Sequence, residues 1–300
     1  MKELVIIGGG PAGLAAAAYA VRKRIDFLLV ADQLGGKTSV SITFPNVEDH
    51  RTITANEIVN AFKNQLEYLS VVYRKNTVEK VDVGTGQMSV LLQSGEAIET
   101  KAVLVATGTT PRNLGVPGER TFYGRGLGYS SVSYSHLLAE RRVFLLGDTD
   151  RVLHSALELS THAEHLYLML ETTGTYRLDL LERLQAYENI EMIEDHDVVE
   201  FTGQEWAERV VIESDSGDRR TIEADAFFVE RHPVPNSGVV ASIVDLDPEG
   251  HILVDSGGAA SHDGIFAAGD VAAVGLEQVL AAMGDATKAV LSAHDYILTV

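Results

Sequence analysis

This sequence predicts an α/β fold that carries the same strand–helix–strand frame twice. Three observations predict it. A glycine-rich turn joins a short apolar strand to an alanine-rich helix near the N-terminus. The same order of strand, turn, helix and strand begins again at Arg142. A third apolar run, Val103-Leu104-Val105, ends abruptly in Ala106-Thr107-Gly108, as strands of such folds do at a sheet edge.

The first frame is complete. Leu4–Ile7 reads as a buried strand, Leu14–Val21 as a helix and Phe27–Val30 as a second strand. Between the first two lies Gly8-Gly9-Gly10-Pro11-Ala12-Gly13, with glycines at the first, third and sixth places of G-x-G-x-x-G. Gly8 permits the tight turn, Gly10 lets the backbone approach a pyrophosphate, and Gly13 lets the helix pack close to the strand. The helix start, with Pro11 and Ala12, then offers N–H groups and a positive dipole end to phosphate. Asp32, just past the second strand, suits a ribose hydroxyl.

The second frame is a damaged copy. A strand over Val143–Leu146, a loop over Gly147–Val152, a helix through Leu159 and a strand over Leu166–Leu170 are expected. Matching Gly8 to Gly147 puts Thr149 where Gly10 stands and Val152 where Gly13 stands. Asp148 and Asp150 add negative charge beside any pyrophosphate. Glu171 matches Asp32 in spacing and keeps an unphosphorylated ribose open as a ligand. Two readings follow: a purely structural domain, or one that holds a nucleotide or partner in a changed way.

Composition excludes several chemistries. The chain has 300 residues, 45% hydrophobic and 22% charged, as expected of a two-domain soluble protein. A net charge of −19 argues against nucleic acid. The longest weakly polar run, Pro11–Val21, is too short to span a bilayer, and the strand at Leu4 leaves no room for a signal peptide. The expectation is a cytoplasmic protein with no membrane partner. With no cysteine there is no disulfide, no thiolate nucleophile and no cysteine-ligated metal. The histidines show neither H-x-x-x-H nor H-E-x-x-H, so no metal site is expected. The serine-rich stretch at 128–137 lies near His136 but lacks a G-x-S-x-G elbow, which disfavours a hydrolase.

Taken with Gly35-Gly36-Lys37, Gly124-Arg125-Gly126-Leu127 and Phe266-Ala267-Ala268-Gly269-Asp270, the chain resembles the low-molecular-weight thioredoxin reductase family over nearly its whole length. The resemblance implies two Rossmann-like, three-layer ββα dinucleotide-binding domains. It implies an FAD-binding domain over 1–116 plus 245–300 and a degenerate NAD(P)H-type domain over 117–244, hinged near Gly115–Gly118. It also implies FAD itself, held at Gly8, Gly10, Pro11, Ala12, Gly13 and Asp32. Gly35, Gly36 and Lys37 match the family's G-G-Q along the flavin. Thr43 matches an asparagine near the ribityl chain, and Ala106, Thr107 and Gly108 close the strand beside it. Gly269 and Asp270 match the ribityl-binding aspartate step. Gln278 and Val279 match the step whose backbone meets the pyrimidine edge. A homodimer is implied as well.

The departures from that family concern electron flow. Ser130 and Ser133 stand at the two cysteine positions and Tyr134 at the acid position, so no catalytic residue is expected there. A hydroxyl cannot exchange with a disulfide. Leu170-Glu171-Thr172 replaces the arginines that grip a 2′-phosphate, and Glu230-Arg231-His232 replaces a typical A-x-G. NADPH is therefore disfavoured, with NADH or a second flavin left open. Three functions are weighed: an oxidoreductase using a small redox protein or small molecule, a flavin-binding sensor or scaffold, and an NADH-linked enzyme akin to ferredoxin reductases.

Overall fold

The computed structural model describes residues 1–45, 47, 55–67, 71–84, 87–274 and 276–300. The chain divides into two compact units. The first comprises Met1–Ser39, Ile53–Thr110 and Val234–Val300, and the second Val40–Thr52 and Pro111–Pro233.

The first unit opens with β1 (Lys2–Ile7), α1 (Pro11–Lys23) and β2 (Phe27–Ala31). There follow α2 (Ala55–Glu67), β3 (Tyr73–Lys75), β4 (Val78–Val83), β5 (Met88–Leu92), β6 (Ala97–Val105) and β7 (Thr109–Thr110). Strand β6 serves two pairings. Its N-terminal part runs antiparallel to β5, and its C-terminal part runs parallel to β1. Alternate residues of β1 face opposite cores: Leu4 and Ile6 pack against the helices, Val5 and Ile7 against the β4–β5 side. Both faces are covered, which explains the unbroken apolar runs in β1 and β2.

The second unit contains α3 (Glu119–Phe122), β8 (Leu127–Gly128), β9 (Arg142–Thr149), α4 (Asp150–Leu159), β10 (His165–Thr175), α5 (Leu178–Leu184) and β11 (Ile190–Ile193). It ends with β12 (His196–Gly203), β13 (Ala207–Ser214), β14 (Arg219–Glu223) and β15 (Ala226–Glu230). Its parallel sheet has the order β11-β10-β9-β15-β8, and β12–β14 form a separate antiparallel sheet. Val143 and Leu145 of β9 pack with α4 and α5, while Phe144 and Leu146 pack with the antiparallel sheet. That is the three-layer ββα arrangement.

The chain then returns to the first unit through β16 (Val234–Pro235), β17 (Ile265–Ala267) and α6 (Val279–Ile297). The first unit's chain leaves after Thr110 and returns at Val234. The cause is local. Val234 pairs with Thr110 and Pro235 with Thr109, and Val240 and Val244 are buried in the first unit's core. In the parallel part of the sheet the order is β3-β2-β1-β6-β17.

Candidate functional site

The site in the first unit is built where β1, β6 and β17 end. Gly8 has φ +114°, and a Cβ there would lie 2.2 Å from the Ala106 carbonyl oxygen. A Cβ on Gly13 would lie 1.8 Å from the Gly8 carbonyl oxygen, so the helix touches the turn. Gly10 is different. A Cβ there would meet nothing within 4 Å. Gly10 is also the N-cap of α1, without a side-chain cap, and Pro11 opens the helix. The N–H groups of the first turn after Pro11 have no intrahelical acceptor and lie at that end of the helix. The fit to a pyrophosphate is therefore good.

Around this opening the structure gathers most of the expected residues. Asp32 is exposed at the end of β2. Gly35 donates its N–H to the Gly9 carbonyl (2.7 Å), and a Cβ on Gly36 would lie 2.9 Å from the Gly10 Cα. The Ala106-Thr107-Gly108 step is fixed by Asn236: the Thr107 hydroxyl donates to the Asn236 carbonyl (2.7 Å), and the Asn236 amide nitrogen donates to the Thr107 carbonyl (3.0 Å). Gly269 lies between two helix starts, because a Cβ there would be 3.0 Å from Ala12 Cβ and 3.3 Å from Ala282 Cβ. Asp270 follows it. Gln278 is the N-cap of α6 and Val279 its first residue. Two helix N-termini thus converge beside Asp270, favouring anions by dipole and by N–H donors.

Lys37 has an arrangement the sequence did not reveal. Its ammonium lies 2.5 Å from Asp270 Oδ2 and 3.8 Å from Glu277 Oε2, and it donates to the Thr109 hydroxyl at 2.8 Å. Thr109, Glu277 and Asn236 were all missed by sequence reasoning. Thr43 is the exception among the expected residues. It belongs to the second unit, where its hydroxyl donates to the Gly124 carbonyl (3.2 Å) and accepts from Trp206 Nε1 (3.4 Å).

The second unit's matching edge is filled by the protein itself. Strand β9 runs through Gly147 and Asp148 to Thr149, and α4 starts at the next residue. The expected loop over Gly147–Val152 does not form. Strand β10 runs to Thr175, past the expected end at Leu170, and pairs Thr175 with Thr149. The Tyr176 hydroxyl then reaches the Gly147 carbonyl (2.7 Å) and the Glu171 carbonyl (3.1 Å). Burial pushes the Tyr176 phenol up to about 12, the Glu171 backbone hydrogen bond opposes that, and the Glu171 and Asp148 charges add to it. A Cβ on Gly147 would fall 2.6 Å from Val152 Cβ.

The replacement segment 230–232 satisfies the groups left there. Glu171 is not held open for a ribose. It is gripped by Arg231, Nε to Oε1 at 2.5 Å and Nη2 to Oε2 at 3.1 Å. Burial opposes the charge on Arg231, but the Glu171 hydrogen bond together with the charges of Glu171, Asp148 and Glu119 outweighs it and raises the guanidinium's pKa. Asp148 accepts from the His232 backbone N–H (2.8 Å) and from Arg112 (3.1 Å). Glu230, 1% exposed, accepts from the Ser131 N–H and hydroxyl (both 2.6 Å) and from the Ser155 hydroxyl (2.5 Å). The neighbouring Ser130 and Ser133 hydroxyls lie 3.0 Å apart and bond to each other. Tyr134 stacks edge-on against Phe44 and accepts from the Ile42 N–H at 3.1 Å. A hydroxyl pair, a buried carboxylate and a packed phenol stand where the resemblance expects a dithiol and an acid.

No helix among the described residues is long and apolar enough to cross a membrane, and no cluster of three metal-ligating side chains occurs among them. The model of the pyridine nucleotide-disulphide oxidoreductase family matches residues 2–286. Among curated relatives, an alkyl hydroperoxide reductase component of Pseudomonas aeruginosa is 30% identical over 99% of this chain. An NADH dehydrogenase of Bacillus subtilis is 27% identical over 99% of it. The chain spans 58% of the length of each. A thioredoxin reductase structure from Streptococcus pyogenes superposes with a TM-score of 0.90 at 27% identity, covering 100% of this chain and 99% of that one. One from Giardia duodenalis gives 0.88 at 25% identity, with the same coverage. The chain therefore belongs to the pyridine nucleotide-disulphide oxidoreductase family, with a thioredoxin reductase-like flavoprotein fold that lacks the C-x-x-C dithiol.

Proposed function

We propose that the first unit binds FAD and that the protein is an FAD-dependent oxidoreductase unable to pass electrons from NADPH to a disulfide. The observation that carries this reading is the open face of Gly10 at the start of α1, together with Asp32 after β2 and Asp270 after β17. The N–H groups of the first turn of α1 would hold the pyrophosphate. Asp32 would accept from the adenosine ribose and Asp270 from the ribityl hydroxyls. Gln278 and Val279, at the start of α6, would offer backbone N–H groups to the pyrimidine edge. Bound FAD would supply hydride or single-electron transfer. The protein's own part is to bind, orient and shield the ring.

The donor is proposed to be a small redox protein or small molecule rather than a nicotinamide bound at the second unit. Three features support this. Glu171 is paired with Arg231, Tyr176 caps Gly147, and no glycine loop exists between β9 and α4. NADPH is disfavoured further because a carboxylate stands where a 2′-phosphate would need cations. The same closure favours a second reading, in which FAD is held without turnover as a sensor or scaffold. A homodimer is part of the proposal, carried from the resemblance.

The test is direct. The purified protein is expected to be yellow and to release FAD on denaturation. Anaerobic dithionite should bleach it, while stoichiometric NADH or NADPH should not. A colourless protein that takes up no added FAD would sink the proposal. Rapid bleaching by either nicotinamide would overturn its second half. Bleaching by dithionite with no turnover under any added donor would favour the sensor.

A further inference from the structure

Strand order gives the first unit's site a direction. Parallel neighbours β2, β1, β6 and β17 end at Asp32, at Gly8–Gly10, at Ala106–Thr109 and at Gly269–Asp270. A dinucleotide with one ribose at Asp32 and its pyrophosphate at Gly10 must lay its other half over the ends of β6 and β17. Lys37 starts beside Gly10 and sends its ammonium to that other half, onto Thr109 after β6 and Asp270 after β17. Three partners hold it, so its position is set before a cofactor arrives. Its side chain is 40% exposed, which leaves it accessible to a ligand.

We propose that Lys37 makes this site favour the reduced, anionic flavin over the oxidised one. This rests on the reading that the first unit binds FAD. The balanced step is FAD + 2e⁻ + H⁺ → FADH⁻, with the electrons from a two-electron reductant. The oxidised ring is neutral and the product carries a negative charge. A fixed cation beside the ring discriminates between them by Coulomb attraction. Removing the cation acts twice, because the carboxylate of Asp270 then also loses the ammonium that neutralises it at 2.5 Å. A lysine that merely buttressed Asp270 would strengthen both flavin states equally.

The two roles separate in one experiment. Wild type, Lys37→Met, Lys37→Gln and Lys37→Arg are stripped of flavin and reloaded. Affinity for oxidised FAD is read by fluorescence quenching, and the midpoint potential by equilibration with a redox dye under dithionite titration. In Met and Gln variants, the preference for reduced flavin should fall by about tenfold or more, roughly 30 mV for a two-electron couple. Arg should restore most of it. Equal potentials in wild type and both neutral variants, with oxidised affinity lowered, would overturn the proposal and leave a structural lysine. Failure of wild type to bind FAD would instead overturn the reading on which it rests, and the proposal with it. Should Met fold poorly by circular dichroism, the Gln and Arg pair decides alone.

Discussion

The two strand–helix–strand frames use one backbone plan and finish it in opposite ways. At β1–α1 a glycine turn leaves open space at Gly10, where a Cβ would meet no protein atom within 4 Å. At β9–α4 the strand continues to Thr149, pairs with Thr175, and is capped by Tyr176. A fold of this kind binds a dinucleotide only where its strand exits are left unsatisfied. Once side chains supply those hydrogen bonds internally, the same frame becomes a structural element.

The sharpest way to break this contrast is Gly13→Val. Its first methyl-bearing carbon would sit 1.8 Å from the Gly8 carbonyl oxygen. A clash with backbone cannot be relieved by a rotamer, so a loss of more than about 3 kcal/mol is expected. Thermal unfolding should show the first unit melting far earlier or the protein failing to accumulate. The second unit already carries buried Val152 at the matching place. An unchanged melting temperature would show that the helix does not press on the turn.

Gly10→Ala should separate fold from binding. Its φ of −73° suits alanine and its Cβ meets no protein atom. Stability should change little. Lost charge-assisted hydrogen bonds to the pyrophosphate, worth about 1.5–3 kcal/mol, predict FAD affinity weaker by roughly 10- to 100-fold. Unaltered FAD affinity would move the pyrophosphate elsewhere.

Glu230→Gln tests the closed unit. The amide can offer an N–H where Ser131 and Ser155 need acceptors, at a cost of about 1–3 kcal/mol. Urea unfolding should register that, while FAD affinity stays at the wild-type value. A drop in FAD affinity without loss of stability would contradict the separation of roles.

The smallest effect is expected from Tyr176→Phe, about 1 kcal/mol for its hydrogen bonds. It also has a pH signature. The folded phenol is raised to about 12 from an ordinary 10.0. Below pH 10 it is protonated in both states and adds no slope. Between 10 and 12 the unfolded chain ionises first, so stability falls as pH rises. The variant should lack that part of the alkaline loss, measured as denaturation midpoints across this window.

Much of the candidate site was legible because it is written locally. The turn Gly8–Gly13, the Ala106-Thr107-Gly108 exit and the Gly269-Asp270 step each need particular residue types at adjacent positions. What escaped notice was pairing at a distance. Arg231 and Glu171 lie 60 positions apart, and Ser131 and Glu230 lie 99 apart. Lys37 reads as a substitution in a flavin-lining step, and only the folded chain lays its ammonium on Asp270 and Thr109. The chain's return to the first unit is another such pairing at a distance. Val234 and Pro235 join the first unit through a two-residue pairing with Thr110 and Thr109, which no hydrophobic pattern announces.

The sequence by itself determined the repeated α/β frame, the open phosphate turn and the loss of thiol chemistry. Each depends on what a residue is: glycine has no Cβ, aspartate is an anion, serine is not a thiol. The tertiary structure alone decided that the second frame is shut and that the Lys37 ammonium lies on Thr109 and Asp270, after β6 and β17. Those outcomes depend on which strands end side by side, and that is set by burying both faces of each sheet at once.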